Sequence, residues 1–337
     1  MKKKCALITG ISGMDGSHLA DYLLKKDYYI YGMIRRNATR ELGNAKHLEF
    51  NPNVDIVEGD ITDMSSVMRI IQRTRPHEIY SLAAMSHVHT SFEQPISTML
   101  IDLLGPIHIL ESVKLLGYTS RIFQASTSEL WGKTPPPQNE GSRMRPCSPY
   151  AIAKMGAHEM FKLYRDSYNL YACCGITNNH ESHRRGPLFV TRKISLAVAN
   201  IIAGKQDKII LGNITAKRDW GWAPEYVEAF HLMLQQPDPK DYVIATGKMY
   251  SVEDFIREAF RCVDISNWED YVEFDRFFLR PAEVEELQGD ASLIKEELGW
   301  EATVGFEELV ERMVAHDLEL VDHNINEFKK EEKNASN

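Results

Sequence analysis

Cys5-Ala-Leu-Ile-Thr-Gly-Ile-Ser-Gly-Met-Asp-Gly16 is the stretch of sequence that decides the fold of this chain. Its apolar start predicts a strand buried on both faces, and Ser17–Lys26 after it predicts a helix. Gly10 permits a tight turn, Gly13 lets backbone amides approach a diphosphate, and Gly16 lets the helix pack close to the strand. A strand, a glycine turn and a helix are the context of a dinucleotide site. Because the spacing is Gly-x-x-Gly-x-x-Gly, an ordinary glycine turn is the alternative.

Segments typical of strands and helices alternate along the chain, more loosely after residue 176. The further predicted strands are 29–34, 54–61, 78–82, 121–125, 171–176 and 242–246, and the predicted helices include 64–74, 98–116, 150–168, 189–202 and 224–235. This alternation predicts an α/β fold, a Rossmann-type doubly wound parallel sheet with a smaller C-terminal substrate-binding lobe. We expect residues 1–177 to form the nucleotide-binding domain, with 220–250 returning to it. Residues 178–219 and 251–325 would form the lobe, and 326–337 a flexible tail.

Composition narrows the class of protein. The chain has 337 residues, 43% of them hydrophobic, and a net charge of −9, with no basic run of the kind that binds nucleic acid. No apolar run approaches the length needed to span a membrane. The five cysteines show no recurring metal-type spacing, so we expect reduced thiols, no metal site and a cytoplasmic location.

Tyr150 and Lys154 stand four residues apart, a spacing that places both side chains on one face of a helix. A neighbouring ammonium lowers the pKa of a tyrosine, which is ordinarily near ~10, so the pair could exchange a proton with a substrate hydroxyl. Ser126-Thr-Ser-Glu129 ends the predicted strand 121–125, where ligands of such sheets bind. The alternatives are a surface Tyr–Lys pair and a simple helix cap.

Two consecutive arginines, Arg35 and Arg36, follow the predicted strand 29–34. An acid near this place suits NAD, whereas arginine accommodates the 2′-phosphate of NADP. The sequence therefore favours NADP, and the alternative is a solvated basic turn.

Several runs occur together in an order typical of one group of enzymes. They are Thr9-Gly-Ile-Ser-Gly-Met-Asp-Gly-Ser17, Ile34-Arg-Arg36, Ser126-Thr-Ser-Glu-Leu130, Ser148-Pro-Tyr-Ala-Ile-Ala-Lys154, Asn179-His-Glu-Ser182, Arg184-Arg-Gly186, Phe189-Val-Thr-Arg-Lys193, Lys217-Arg-Asp-Trp-Gly221, Asp241-Tyr-Val-Ile-Ala-Thr-Gly247 and Leu298-Gly-Trp300. Together they resemble the extended short-chain dehydrogenases/reductases, and most closely the GDP-mannose 4,6-dehydratase family.

The resemblance implies a role for each matching residue. The implied catalytic residues are Thr127, Ser128, Glu129, Tyr150 and Lys154. The implied NADP contacts are Gly10, Ser12, Gly13, Met14, Asp15, Gly16, Arg35, Arg36, Asn37, Asp60, Ile61, Leu82, Ala83, Ala84, Ser86, Lys154, His180 and Arg185. The implied substrate contacts are Ser86, Asn179, Lys193, Arg218, Arg280 and Glu283. The family also implies a homodimer or homotetramer.

The reaction implied by the resemblance is the conversion of GDP-mannose to GDP-4-keto-6-deoxy-mannose, a step towards GDP-fucose or GDP-rhamnose. Tyr150 would take the proton of the O4 hydroxyl, and Glu129 would act as acid and base in the loss of water. A sugar-nucleotide epimerase or a 4-keto reductase would need Tyr150 and Lys154 but not Glu129. A non-catalytic NADP-binding regulator is the third possibility.

Overall fold

The structure is a computed structural model, which describes residues 3–39, 41–275 and 282–335 and the side chains of these residues as far as 323. The strands are β1 (Cys5–Thr9), β2 (Tyr29–Ile34), β3 (Val54–Glu58), β4 (Glu78–Ser81), β5 (Arg121–Ala125), β6 (Ala172–Thr177), β7 (Asn179–Glu181), β8 (Ile209–Leu211), β9 (Lys217–Arg218), β10 (Trp220–Trp222), β11 (Tyr242–Ile244), β12 (Tyr250–Ser251), β13 (Val272–Phe274) and β14 (Glu286–Leu287). The α-helices are α1 (Met14–Lys25), α2 (Met64–Thr74), α3 (Val88–Glu93), α4 (Pro95–Met99), α5 (Gly105–Leu116), α6 (Pro149–Tyr168), α7 (Val190–Ile202), α8 (Ala223–Leu234), α9 (Val252–Arg261), α10 (Ser292–Leu298) and α11 (Phe306–Ala335).

The centre of the fold is a parallel sheet. Within the described residues it has seven strands in the order β11-β6-β5-β4-β1-β2-β3, and each neighbouring pair is parallel. The predicted fold class is therefore confirmed. Because β1 lies between β2 and β4, the connections leave it in opposite directions, and such a switch point opens a crevice beyond the carboxyl ends of the strands.

Helices bury both faces of the sheet. Ile8 of β1 belongs to the core that includes residues of α1 and α8, whereas its neighbour Leu7 belongs to the core formed with α2, α5 and α6. Successive side chains of a strand point to opposite faces, so a strand covered on both sides needs a continuous apolar run. This requirement explains the sequence of β1.

The predicted helix over 98–116 differs from the structure at its start. The chain is helical from Pro95 to Leu116 but contains a π-helical turn over Leu100–Leu104, where the Gly105 N–H bonds the Leu100 carbonyl five residues back. Pro106 has no N–H to give to the carbonyl four residues before it, so the predicted local disturbance takes the form of a π turn.

A second core underlies the C-terminal part of the chain and includes residues of α7, α9 and α11. The short parallel pair β7–β10 and the small sheet β12-β9-β14 lie in this half, and none of these strands was predicted from the sequence. With two or three residues each, they are too short to show a period of two. The backbone of α11 continues to Ala335. The predicted domain boundaries and the tail over 326–337 stay predictions.

Candidate active site

A cleft of about 970 Å³ opens beyond the carboxyl ends of the central strands. The residues predicted from the sequence that line it are Gly10, Ser12, Gly13, Met14, Asp15, Gly16, Arg35, Asp60, Ile61, Leu82, Ala83, Ala84, Ser86, Thr127, Ser128, Glu129, Tyr150, Lys154, Asn179, His180, Arg185, Lys193, Arg218 and Glu283. Among the predicted residues that the structure describes, Arg36 and Asn37 are not part of the lining. Arg280 lies outside the described residues. The fold thus brings the three predicted sets of residues into one cleft, and their individual roles stay predictions.

The glycine turn between β1 and α1 leaves room for a ligand at the start of the helix. Gly10 has φ +72°, a left-handed conformation that favours glycine, and a Cβ there would come within 2.9 Å of the Ala83 Cα. A Cβ on Gly16 would collide with the backbone of the turn, 2.7 Å from the Ile11 Cα. Gly13 caps α1, whose first amides face the cleft. A helix start with close backbone approach suits a diphosphate.

The loop after β4 is fixed by a hydroxyl of β1. The Thr9 Oγ1 accepts hydrogen bonds from the backbone N–H groups of Leu82 and Ala83, at 3.0 and 3.1 Å. Leu82, Ala83 and the three residues after them line the cleft. The position of the loop after β4 therefore depends on β1 as well as on β4.

The two arginines after β2 differ in whether they line the cleft. Arg35 lines the cleft. The side chain of Arg36 is 86% exposed and forms an ion pair with Glu58 at 3.9 Å. Of the two, only Arg35 is therefore part of the cleft lining among the described residues.

The predicted catalytic side chains come from two elements that meet at the end of β5. Thr127 caps the short 3₁₀ helix Ser128–Leu130, with its Oγ1 accepting the Glu129 N–H at 3.2 Å. Ser148 caps α6 in the same way and accepts the Ala151 N–H at 3.1 Å. Glu129 and Tyr150 both line the cleft, and the two side chains interact electrostatically.

The prediction that Tyr150 has a lowered pKa is wrong for this structure. Burial and the charge of Asp102 raise the pKa of Tyr150 well above its ordinary value, and Glu129 acts in the same direction. A hydrogen bond with the Thr127 side chain and the charge of Arg185 oppose this rise. Burial also lowers the pKa of Lys154, against the charge of Asp102. Desolvation, which a sequence does not show, decides the direction for both groups.

A second group of charges lies beside the glycine turn. The His180 Nε2 is 3.0 Å from both carboxylate oxygens of Asp15, and its Nδ1 is 2.8 Å from the Asn178 carbonyl. Burial alone would raise the pKa of Asp15, but His180 together with Arg185 and His18 holds that pKa below its ordinary value. The Arg185 guanidinium pairs with Glu181 at 3.0 Å. β7, which was not predicted from the sequence, carries both His180 and Glu181. This strand therefore positions the partner of Asp15 and the partner of Arg185.

Polar groups line the far end of the cleft as well. The Lys193 Nζ donates to the Ile210 carbonyl at 2.6 Å, and burial lowers the pKa of Lys193. Arg218 is buried and lies 3.7 Å from Glu283. Two cations and an acid at this end are suited to hold a second, anionic ligand.

Sequence reasoning missed Asp102, which is fully buried in the π turn and interacts electrostatically with Lys154. The sequence carries one signal for it, a lone acid in the otherwise apolar run Met99–Leu104. An acid in a buried apolar run requires a partner, and the partner is known only once α6 is in place.

Comparison with known proteins identifies the family. The family model described as GDP-mannose 4,6 dehydratase matches residues 7–313. The chain belongs to the GDP-mannose 4,6-dehydratase family. It is 48% identical to GDP-mannose 4,6 dehydratase 2 of Arabidopsis thaliana over 94% of this chain and 88% of that protein. It is 43% identical to the human GDP-mannose 4,6 dehydratase over 96% and 94% of the two chains.

The fold has counterparts among solved structures. A dTDP-glucose 4,6-dehydratase from Bacillus anthracis, solved in complex with NAD, matches with a TM-score of 0.80. Its sequence is 22% identical, and the match covers 93% of this chain and 96% of that chain. At this level of identity the likeness concerns the fold alone. The predicted membership of the GDP-mannose 4,6-dehydratase family is thus confirmed by sequence, and the Rossmann-type fold by structure.

Two kinds of feature were not found among the described residues. No group of three or more His, Cys, Asp or Glu side chains there could hold a metal ion. No helix among those residues is long and apolar enough to cross a membrane.

Proposed function

We propose that this chain is an NADP-dependent GDP-mannose 4,6-dehydratase, a lyase that forms GDP-4-keto-6-deoxy-mannose. The observation that carries the proposal is the meeting of Glu129 with Tyr150 and Lys154 in the cleft that also holds the glycine turn. An epimerase or a 4-keto reductase could use the tyrosine and lysine without the acid. Membership of the family supports the same reaction.

The residues present fit a nicotinamide dinucleotide. The turn at Gly10 and Gly16 is a cradle that a Cβ would fill, and the start of α1 offers backbone amides to a diphosphate. Arg35 would hold the 2′-phosphate, and Asp60 and Ile61 would lie against the adenine. The cofactor supplies a hydride acceptor that later returns the same hydride. Lys154 would hold the nicotinamide ribose on the face of α6 that also carries Tyr150.

Tyr150 would take the proton from the O4 hydroxyl as hydride leaves C4, with Thr127 holding O4 by a hydrogen bond. The resulting 4-ketone makes the C5–H acidic. Glu129 would then remove the C5 proton and deliver a proton to the departing C6 hydroxyl, so that water is lost across C5–C6. Glu129, after taking up a proton from solvent, would protonate C5 as C6 receives the hydride, which gives the 4-keto-6-deoxy sugar. Ser128, directly before Glu129, would take part in this proton transfer.

The nucleotide half of the substrate would lie at the far end of the cleft. Lys193 and Arg218 would pair with its diphosphate, because charge-assisted hydrogen bonds are the strong ones. Asn179, Ser86 and Glu283 would supply the remaining polar contacts. Binding energy from these remote contacts would hold the hexose against Tyr150 and Glu129.

We propose further that the enzyme is a cytoplasmic homodimer or homotetramer. Ile96, Leu100 and Leu104 follow one another at intervals of four along the helical stretch from α4 to α5, and all three are exposed. Ile152 and Leu163 of α6, which packs against this stretch, are exposed as well. Exposed apolar side chains grouped on elements that pack together are typical of an interface between copies. Light scattering should give at least two copies for the parent and fewer for Leu163→Glu, whereas Phe50→Glu, in the segment between β2 and β3, should leave the mass unchanged.

The function is tested by incubating the purified protein with GDP-mannose and a catalytic amount of NADP. We expect complete conversion without consumption of NADP, solvent deuterium at C5 in deuterated water, and at C6 the hydrogen that began on C4. A C4 epimer of the substrate as the product would show an epimerase. The need for stoichiometric NADPH would show a reductase. The absence of any product would favour a non-catalytic NADP-binding regulator.

A further inference from the structure

We propose that Asp102 is a positioning residue for the Tyr150–Lys154 pair, joining the charge of Lys154 to the loop that follows β4. The inference rests on the proposed function, because it concerns the same proton transfer. Asp102 does not line the cleft and would touch neither substrate nor cofactor. It would act on the reaction through Tyr150, Lys154 and the loop after β4, which do line the cleft.

The two carboxylate oxygens of Asp102 have different surroundings. Oδ1 accepts the Met85 N–H at 2.8 Å, in the loop between β4 and α3 that lines the cleft. Oδ2 is buried and has no hydrogen-bond partner among the described residues. A buried carboxylate with an unused oxygen is costly unless a cation compensates its charge. The residue thus needs a cation nearby.

Lys154 is that cation. It is almost fully buried on α6, which packs against the π turn that carries Asp102. The charged or titratable groups that act on Lys154 are Asp102 first, then Cys174 and Asp15. Among the described residues no other cation acts on Asp102. The two buried charges therefore depend on each other.

The same carboxylate acts on the proposed base. The groups that act on Tyr150 are Asp102, Thr127, Glu129 and Arg185, and the negative charge of Asp102 disfavours the phenolate. Asp102 thus favours the protonated form of both Lys154 and Tyr150. Removing this one charge should lower the pKa of both groups, whereas loss of the Met85 hydrogen bond alone would move neither.

The test compares Asp102→Asn with Glu111→Gln. Asparagine keeps an acceptor for the Met85 N–H and removes the charge. Glu111 lies on α5 outside the cleft lining and bonds Tyr164, so its replacement removes one charge near the same face without touching the site. The apparent pKa of Lys154 is measured by competitive acylation of the apoprotein at several pH values, followed by mass spectrometry of the Lys154 peptide. This readout does not depend on turnover.

We expect Asp102→Asn to lower the apparent pKa of Lys154 by about one unit, which makes acylation below that pKa about tenfold faster at a given pH. The pH profile of GDP-mannose turnover should move to lower pH by a similar amount. Glu111→Gln should leave both unchanged. Asp102→Leu, which also loses the Met85 bond, should in addition weaken NADP binding by about 3- to 10-fold.

Profiles of Asp102→Asn that superimpose on the parent in both measurements would overturn the proposal. If Asp102→Asn does not fold, the double variant Asp102→Asn/Lys154→Met should restore folding, because it removes both buried charges. Failure of that rescue would also contradict the pairing. A parent protein that does not turn over GDP-mannose would refute the proposed function, and the acylation result would still decide the role of Asp102.

Discussion

Replacing Arg35 by serine should abolish most of the preference for NADP, whereas the same change at Arg36 should do little. The two residues are neighbours in sequence and identical in chemistry, so each serves as the control for the other. Both are exposed, but Arg35 lines the cleft, whereas Arg36 lies outside its lining and pairs with Glu58.

The size of the effect follows from these positions. A hydrogen bond between a guanidinium and a phosphate contributes about 1.5–3 kcal/mol. Since about 1.4 kcal/mol corresponds to a factor of ten, Arg35→Ser should raise the Kd for NADP by about 10- to 140-fold. An exposed ion pair such as Arg36–Glu58 contributes about 0–1 kcal/mol, so Arg36→Ser should change the Kd by no more than about fivefold.

The measurement is calorimetric titration of the apoprotein with NADP and with NAD at one fixed ionic strength, because exposed charges are screened by salt. Arg35→Ser should weaken the binding of NADP and leave the binding of NAD nearly unchanged. The ratio of the Kd for NAD to the Kd for NADP should therefore fall. An unchanged ratio, or a larger loss from Arg36→Ser than from Arg35→Ser, would refute the reasoning. Equal affinity of the parent for both cofactors would refute the proposed NADP preference itself.

Three further changes test the site and the fold. Tyr150→Phe should lower turnover by about 10²–10⁴-fold and leave NADP binding within about twofold, as rate assays and titration would show; a rate near that of the parent would remove Tyr150 from the mechanism. Glu129→Gln should stop release of the 4-keto-6-deoxy product in an NMR assay, and unchanged release would mean that the acid only stabilises the start of its short helix. Burial lowers the pKa of His18 to about 3, so the unfolded state takes up its proton first. The free energy of unfolding should therefore fall by about 2 kcal/mol through this residue between pH 7 and pH 5, and urea denaturation of His18→Gln should show that much less loss, with the exposed His47→Gln as control.

The central sheet could be predicted because short segments rich in β-branched and aromatic residues alternate with helix-length segments, a pattern that needs no other part of the chain for its interpretation. Val54, Glu78 and Arg121 begin strands where the sequence indicates them. The helix over 64–74 has the bounds predicted for it, and the structure shows Asp63 as its N-cap, with a side chain that accepts the Ser65 N–H. Patterns of this kind are local, because they depend on the periodicity of apolar residues and on the residues that cap a helix.

What could not be predicted depends on contacts between distant segments. β7 has three residues and exists because β10, about forty residues later, pairs with it; this pairing puts His180 opposite Gly221. Which of Arg35 and Arg36 lines the cleft depends on the path of the chain after β2. The sequence could show that both arginines were available, but only the fold decides which of them meets the cleft.

The burial that orders the proposed catalytic side chains also opposes their chemistry. Tyr150 is held in place by the packing of α6, and that packing raises its pKa, so the groups that lower it matter more than a local Tyr–Lys spacing indicates. These groups are Thr127, at the end of β5, and Arg185, from the segment after β7. The basicity of Tyr150 therefore depends in part on Arg185, which reaches it only when the chain beyond β6 returns to the edge of the sheet. It follows that changes in the segment 179–185 should alter the pH dependence of turnover, even where they touch neither the sugar nor the tyrosine.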